Sequence, residues 1–168
     1  MKFEHFRHLV DGMFQPDSTG GILQHYDHAD PHEVHPLVLA YLGDAYFHLF
    51  VRGRLLSYEQ RKVHVLNEFG AQMVSANWQA LALHAIEEQL TPEEHAVYRR
   101  ARNAQSHAPR RTSVAIYHTS TGFEALLGYL YLTEEFPRLE ELAELSFQAL
   151  AKGLMEDRQK KQEKEKSK

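Results

Sequence analysis

The chain has 168 residues, 43% of them hydrophobic, enough for one domain with a sizeable core. It contains no cysteine, which excludes disulfides and thiolate metal ligands and fits a reducing compartment. A net charge of −4 is the wrong sign for an ordinary nucleic-acid binder, so any such contact needs cations concentrated in one place. No run of 18 apolar residues occurs and the N-terminus lacks a signal-peptide core; the expectation is a soluble, cytoplasmic protein with no membrane partner.

Phe3, Phe6, Val10 and Phe14 are spaced for one face of a short amphipathic helix, and residues 16–21 read as a turn. His25, Asp27, His28, Asp30, His32, Glu33 and His35 follow. This cluster lacks the His-Glu-x-x-His spacing that puts two imidazoles on one helical face, and it lacks an adjacent His-Asp pair. It reads as a solvated linker; the metal cluster of a nucleotide phosphohydrolase is the alternative. Asp30-Pro31 has helix-start chemistry, but His35-Pro36 resets the backbone, so a single turn precedes the main helix. Residues 1–33 are expected to form an N-terminal extension.

The main helix is predicted over 36–52. Leu37, Val38, Ala40, Tyr41, Leu42, Ala45, Leu49 and Phe50 recur at helical spacing, a surplus compatible with a subunit interface. Asp44 sits inside this apolar run with no Lys or Arg one turn away; Ala40, Tyr41, Phe47 and His48 are its candidate contacts. A carboxylate so placed must be paired, exposed in a cleft or bound to a cation. From Glu59 a helical pattern runs almost unbroken to Leu90, with Gly70 as a split point or a close contact. Arg61, Lys62 and His64 give it a basic start.

Thr91-Pro92-Glu93-Glu94 is a helix start, with Thr as cap and Glu94 completing a capping box. Between Tyr98 and Arg111 stand Arg99, Arg100, Arg102, Arg110 and Arg111 with no acid among them. A salt-bridged helix end is the plainer reading of such residues; five arginines leading into a loop favour phosphate binding instead. A helix from about Tyr117 carries Glu124, Pro137 opens the last helix, and residues 156–168 are charged throughout and expected to be disordered. No strand-period stretch appears. The fold class is all-α, a helical bundle over 34–155.

Asp44 and Glu124 each lie in an apolar helix beside a glycine, Gly43 and Gly128, which suggests a close crossing where the two carboxylates meet. Two ionised carboxylates in one pocket repel unless a cation lies between them, and oxygen ligands suit Mg²⁺ or Mn²⁺. The alternative is that each is a partly exposed acid paired with an arginine.

Leu39-Ala-Tyr-Leu-Gly-Asp-Ala45 and Ser120-Thr-Gly-Phe-Glu-Ala-Leu-Leu-Gly-Tyr-Leu-Tyr-Leu132 together resemble the catalytic domain of ribonuclease III. Arg100-Ala-Arg-Asn-Ala-Gln-Ser106 narrows the resemblance to the short branch called Mini-ribonuclease III. The resemblance implies a homodimeric, Mg²⁺-dependent endoribonuclease, with Mn²⁺ able to substitute, that cuts double-stranded RNA. It implies that Asp44 and Glu124 are the catalytic, metal-binding acids. RNA contact would fall to Arg99, Arg100, Arg102, Asn103, Ser106, Arg110, Arg111 and Thr112, assisted by Arg61 and Lys62.

Maturation of a large ribosomal RNA precursor, with a ribosomal protein as partner, is the implied task. Two departures from ribonuclease III stand out. Ala40 and Thr121 replace further acids, a thinning shared with the Mini branch, and Asn67-Glu68-Phe69-Gly70 stands where the family is usually basic. With only a short charged tail after the last helix, RNA binding is expected to come from the catalytic domain itself and not from a separate double-stranded-RNA-binding domain. A non-catalytic RNA-binding protein on the same fold is the rival, and the presence of both acids argues against it.

Overall fold

A computed structural model describes residues 3–13, 16, 18–21, 29–105 and 113–166, which form two compact units divided at Glu33 and Val34. In the first, α1 (Phe3–Met13) is followed after an interval by a single turn in which Asp30 Oδ1 accepts the His32 N–H at 2.8 Å. His25, Asp27 and His28 of the His/Asp cluster lie outside the described residues.

The second unit begins with α2 (Pro36–Leu55). His35 caps it, its Nδ1 accepting the Leu37 N–H at 3.2 Å, and Pro36 occupies the first turn where no donor is needed. The helix continues past Gly53, where an end was expected. The stretch from Glu59 to Leu90 is not one helix but two, α3 (Val63–Met73) and α4 (Ala76–Ile86), followed by a 3₁₀ turn at Glu87–Gln89. The break falls at Val74-Ser75 and not at Gly70, which stays helical and buried. Ser75 causes it: its hydroxyl donates to the Gln72 carbonyl at 2.8 Å, and its extended backbone starts the next helix.

α5 (Pro92–Arg102) carries the capping box read from the sequence, Thr91 and Glu94 each accepting the other's backbone N–H. α6 (Val114–Leu132) ends in a Schellman turn: Glu134 takes positive φ and the Glu135 N–H reaches back to the Leu130 carbonyl. α7 (Phe136–Lys166) runs on through most of the charged tail, which was expected to be disordered. Glu, Lys, Gln and Arg are among the better helix formers, and no Gly or Pro follows Gly153. They prolong a helix already nucleated by its packed first half and need no apolar contact of their own.

α6 is the hub, with α2, α4, α5 and α7 all packed on it. From Thr119 to Leu130 every residue but Glu124 is buried. Phe47 of α2 meets Phe123 edge-on at 5.0 Å, and Leu39, Leu83, Leu126, Leu127, Leu142 and Leu150 fill the interior around them. Tyr129 belongs to this core, and Trp78 and Tyr131 pack against it. Arg138 clamps the periphery, its Nε donating to buried Glu94 at 2.9 Å. Burial alone would push the Glu94 carboxyl up, but the Arg138 guanidinium and the Thr91 amide hold it below the usual range. No β-strand occurs, and no helix is long and apolar enough to cross a membrane, among the described residues.

Candidate active site at the crossing of α2 and α6

Where α2 and α6 cross, the backbones touch. A Cβ at Gly43 would lie 1.8 Å from the Glu124 carbonyl oxygen and 2.6 Å from the Gly128 nitrogen. A Cβ at Gly128 would lie 2.0 Å from the Leu39 carbonyl oxygen. Any side chain at either position would force the helices apart, so the glycines set the crossing. Asp44 follows Gly43 directly, and Glu124 stands one turn before Gly128.

The two acids are thereby neighbours. Burial and then the Asp44 charge push the Glu124 carboxyl up from its ordinary 4.5 to about 8, while a hydrogen bond from Gln79 acts in the opposite sense. Gln79 is fully buried on α4 and also donates from Nε2 to Asp44 Oδ1 at 3.3 Å. His48, one turn along α2, brings its Nε2 within 3.3 Å of the same oxygen. Asp44 thus has an amide and an imidazole beside it; among the described residues no arginine or lysine neutralises either acid.

Gln79 was not singled out from the sequence. The signal was available: a long polar side chain between Ala76, Ala80, Leu83 and Ile86, on the face of a helix that packs inward. Such a residue needs a polar partner inside the protein. Ala40 and Thr121, which stand where ribonuclease III carries further acids, are both buried, and the Thr121 hydroxyl donates to the Tyr117 carbonyl at 3.0 Å.

No group of three or more His, Cys, Asp and Glu side chains is placed to hold a metal ion among the described residues. A pair of carboxylates that cannot comfortably ionise together still fits a hard divalent cation of the Mg²⁺ kind. Such ions are commonly held by one or two carboxylates, with waters and substrate phosphates filling the remaining positions.

Of the expected RNA-binding residues, Arg99 and Arg102 are exposed in the last turn of α5, and Asn103 caps its end. α5 lies against α6 at Gly122, which accommodates the Tyr98 ring: a Cβ there would be 2.4 Å from Tyr98 Cδ2. Arg100 is half-buried and donates to the Val34 carbonyl at 3.4 Å, so it ties α5 to the start of the domain and is not a free surface cation. Arg61 and Lys62 are exposed just before α3, their backbone N–H groups held by the Glu59 carboxylate. Ser106, Arg110, Arg111 and Thr112 lie outside the described residues.

The helical domain that carries this crossing is similar to those of the ribonuclease III class of nucleases. The family model for the ribonuclease III domain matches residues 37–135. The Mini-ribonuclease 3 of Symbiobacterium thermophilum is 44% identical over 126 residues, covering 74% of this chain and 97% of that protein. The Mini-ribonuclease 3 of Enterococcus faecalis is 43% identical over 116 residues, covering 67% and 88%. A crystal structure of a Fusobacterium nucleatum protein superposes with a TM-score of 0.63 at 28% identity, covering 69% of this chain and 93% of that one. The chain belongs to the Mini-ribonuclease 3 family and is an endoribonuclease. Enzymes of the ribonuclease III family depend on divalent metal ions and act on double-stranded RNA.

Proposed function

We propose that the chain is a Mg²⁺-dependent endoribonuclease that cuts duplex RNA as a homodimer, with Asp44 and Glu124 holding the cation. Its task would be the maturation of a large-subunit ribosomal RNA precursor, assisted by a ribosomal protein. The observation that carries the metal site is the apposition of the two acids at the Gly43–Gly128 contact, with no arginine or lysine among the described residues to neutralise them. When bound, the cation supplies positive charge for the phosphodiester under attack and lowers the pKa of the attacking water.

The chain's own residues do the rest. Gln79 fixes the Asp44 carboxylate by a hydrogen bond and steadies Glu124 in its ionised form. Arg99, Arg102 and Asn103, with the 106–112 segment, supply donors for RNA phosphates; duplex RNA is read chiefly through its shape, its phosphates and its 2′-hydroxyls. Two such sites related by a two-fold axis would cut both strands. Exposed Val38, Tyr41 and Leu49 on α2 offer apolar surface for that axis.

The test is cleavage of long duplex RNA by the purified protein with Mg²⁺ and with chelator. The wild type is expected to cut only with the cation. Asp44→Asn and Glu124→Gln are each expected to lower the rate by about a hundred- to a thousandfold. Their affinity for the duplex, measured in chelator, should stay within about threefold of wild type. An Asp44→Asn protein that cuts at the wild-type rate would remove the metal site from the assignment.

A further inference from the structure

On α2, Asp44, His48 and Arg52 recur every four residues and therefore share one stripe of the helix. With a rise of about 1.5 Å per residue, Arg52 stands roughly 12 Å from Asp44 along the axis. His48 links the two, since its Nε2 lies against Asp44 and its ring also lines a cleft of about 480 Å³ between α2 and α3. Arg52 and Asn67 are the other polar groups of that cleft, and Leu66, Gly70 and Val74 form its apolar wall. A second recess of about 210 Å³ shares Arg52, Leu66 and Asn67, so the two join into a groove that leads away from the paired acids.

Arg52 is the uncommitted cation of this region. Arg54, two residues on, is ion-paired to Glu144 and lies over the Phe50 ring at 5.3 Å. The exposed Arg52 guanidinium has no ion pair or hydrogen bond to any described residue, and no acid among the described residues lines the cleft. A groove that begins beside the proposed metal-binding pair, has no acid in its described lining beyond that end and finishes on a planar five-donor fork is suited to an anionic chain.

We propose that this groove holds the ribose-phosphate backbone of the strand being cut. Arg52 engages a phosphate a short way along the strand from the scissile one, Asn67 meets a ribose hydroxyl, and the Leu66–Val74 wall lies under the sugar. This rests on the nuclease reading above and adds to it a contact outside the arginine cluster of α5. It would also supply on α3 the RNA contact that Asn67-Glu68-Phe69-Gly70 is too poor in cations to make by charge alone.

The experiment compares wild type, Arg52→Gln, Arg52→Lys and Asn67→Ala on one duplex RNA. It measures kcat and KM with Mg²⁺, affinity in chelator over a series of salt concentrations, thermal melting and sedimentation. Arg52→Gln is expected to weaken binding about tenfold and to reduce the salt slope by about one unit, with the larger change in KM rather than in kcat. Arg52→Lys should recover the salt slope but only part of the affinity, and Asn67→Ala should weaken binding without changing the slope.

A wild type that cuts, together with an Arg52→Gln protein of unchanged affinity and slope, overturns the groove while leaving the nuclease reading intact. A wild type that does not cut duplex RNA overturns both. An Arg52→Gln protein whose sedimentation changes while its affinity does not would overturn the groove in favour of an interface.

Discussion

Glu124 is held between two unfavourable influences, a surrounding that excludes water and a second carboxylate beside it. Without a divalent cation it keeps its proton in the folded protein up to about pH 8, whereas in the unfolded chain it ionises near 4.5. Its contribution to stability is therefore complete below about pH 4.5 and is lost as the pH rises through about 8. In chelator, Glu124→Gln is expected to flatten that decline and to raise the melting temperature at pH 8.5 by about 2–4 °C or more. Mg²⁺ should raise the wild-type melting temperature more at pH 8.5 than at pH 5.5, where the proton competes for the same oxygens. Calorimetry across this range checks both; a variant whose profile runs parallel to wild type would mean that Glu124 ionises freely. Asp44 and Glu124 were legible in the sequence because an acid within an apolar helix is conspicuous. Gln79 was not, since its importance depends on which two side chains α4 is folded against.

At the scale of the elements, the caps and the glycines carried most of the information. His35-Pro36, Thr91-Pro92 with Glu94, and the Gly43 and Gly128 pairing were readable because each is a local rule or a simple coincidence of spacing. The break at Ser75 was not, because a serine between two apolar runs does not reveal whether its hydroxyl will take a backbone carbonyl from the helix. The end of α7 was missed for a related reason: lack of apolar residues argues against packing, not against helix. The crossing itself gives a sharp expectation. Gly43→Ala must displace the Glu124 carbonyl, 1.8 Å from the new Cβ, and should cost about 3 kcal/mol or more. Gly53→Ala, in the same helix with open space around it, should be neutral or mildly stabilising. Denaturant unfolding of the two variants distinguishes a steric crossing from a general intolerance of α2 to substitution.

For the molecule as a whole, the proposed dimer should be sensitive to the exposed apolar face of α2. Tyr41 is 80% exposed and Leu49 71% exposed on a helix otherwise anchored in the core, and Val38 extends the same surface. Leu49→Glu combined with Tyr41→Glu is expected to convert a two-chain species into a single chain by sedimentation while leaving helical content unchanged. Paired cuts in duplex RNA should then give way to single nicks. A double variant that sediments like wild type would place the two-fold axis elsewhere.

The meeting of α2 and α6 through bare peptide groups has one more implication. Rotamers in a protein interior readjust when a neighbour changes, but two main chains in direct contact have no slack to take up. The separation of Asp44 and Glu124 is consequently gauged by the thickness of the polypeptide itself. Hydrophobic substitutions elsewhere in the bundle can alter how firmly the domain is built while hardly changing the spacing of these two acids.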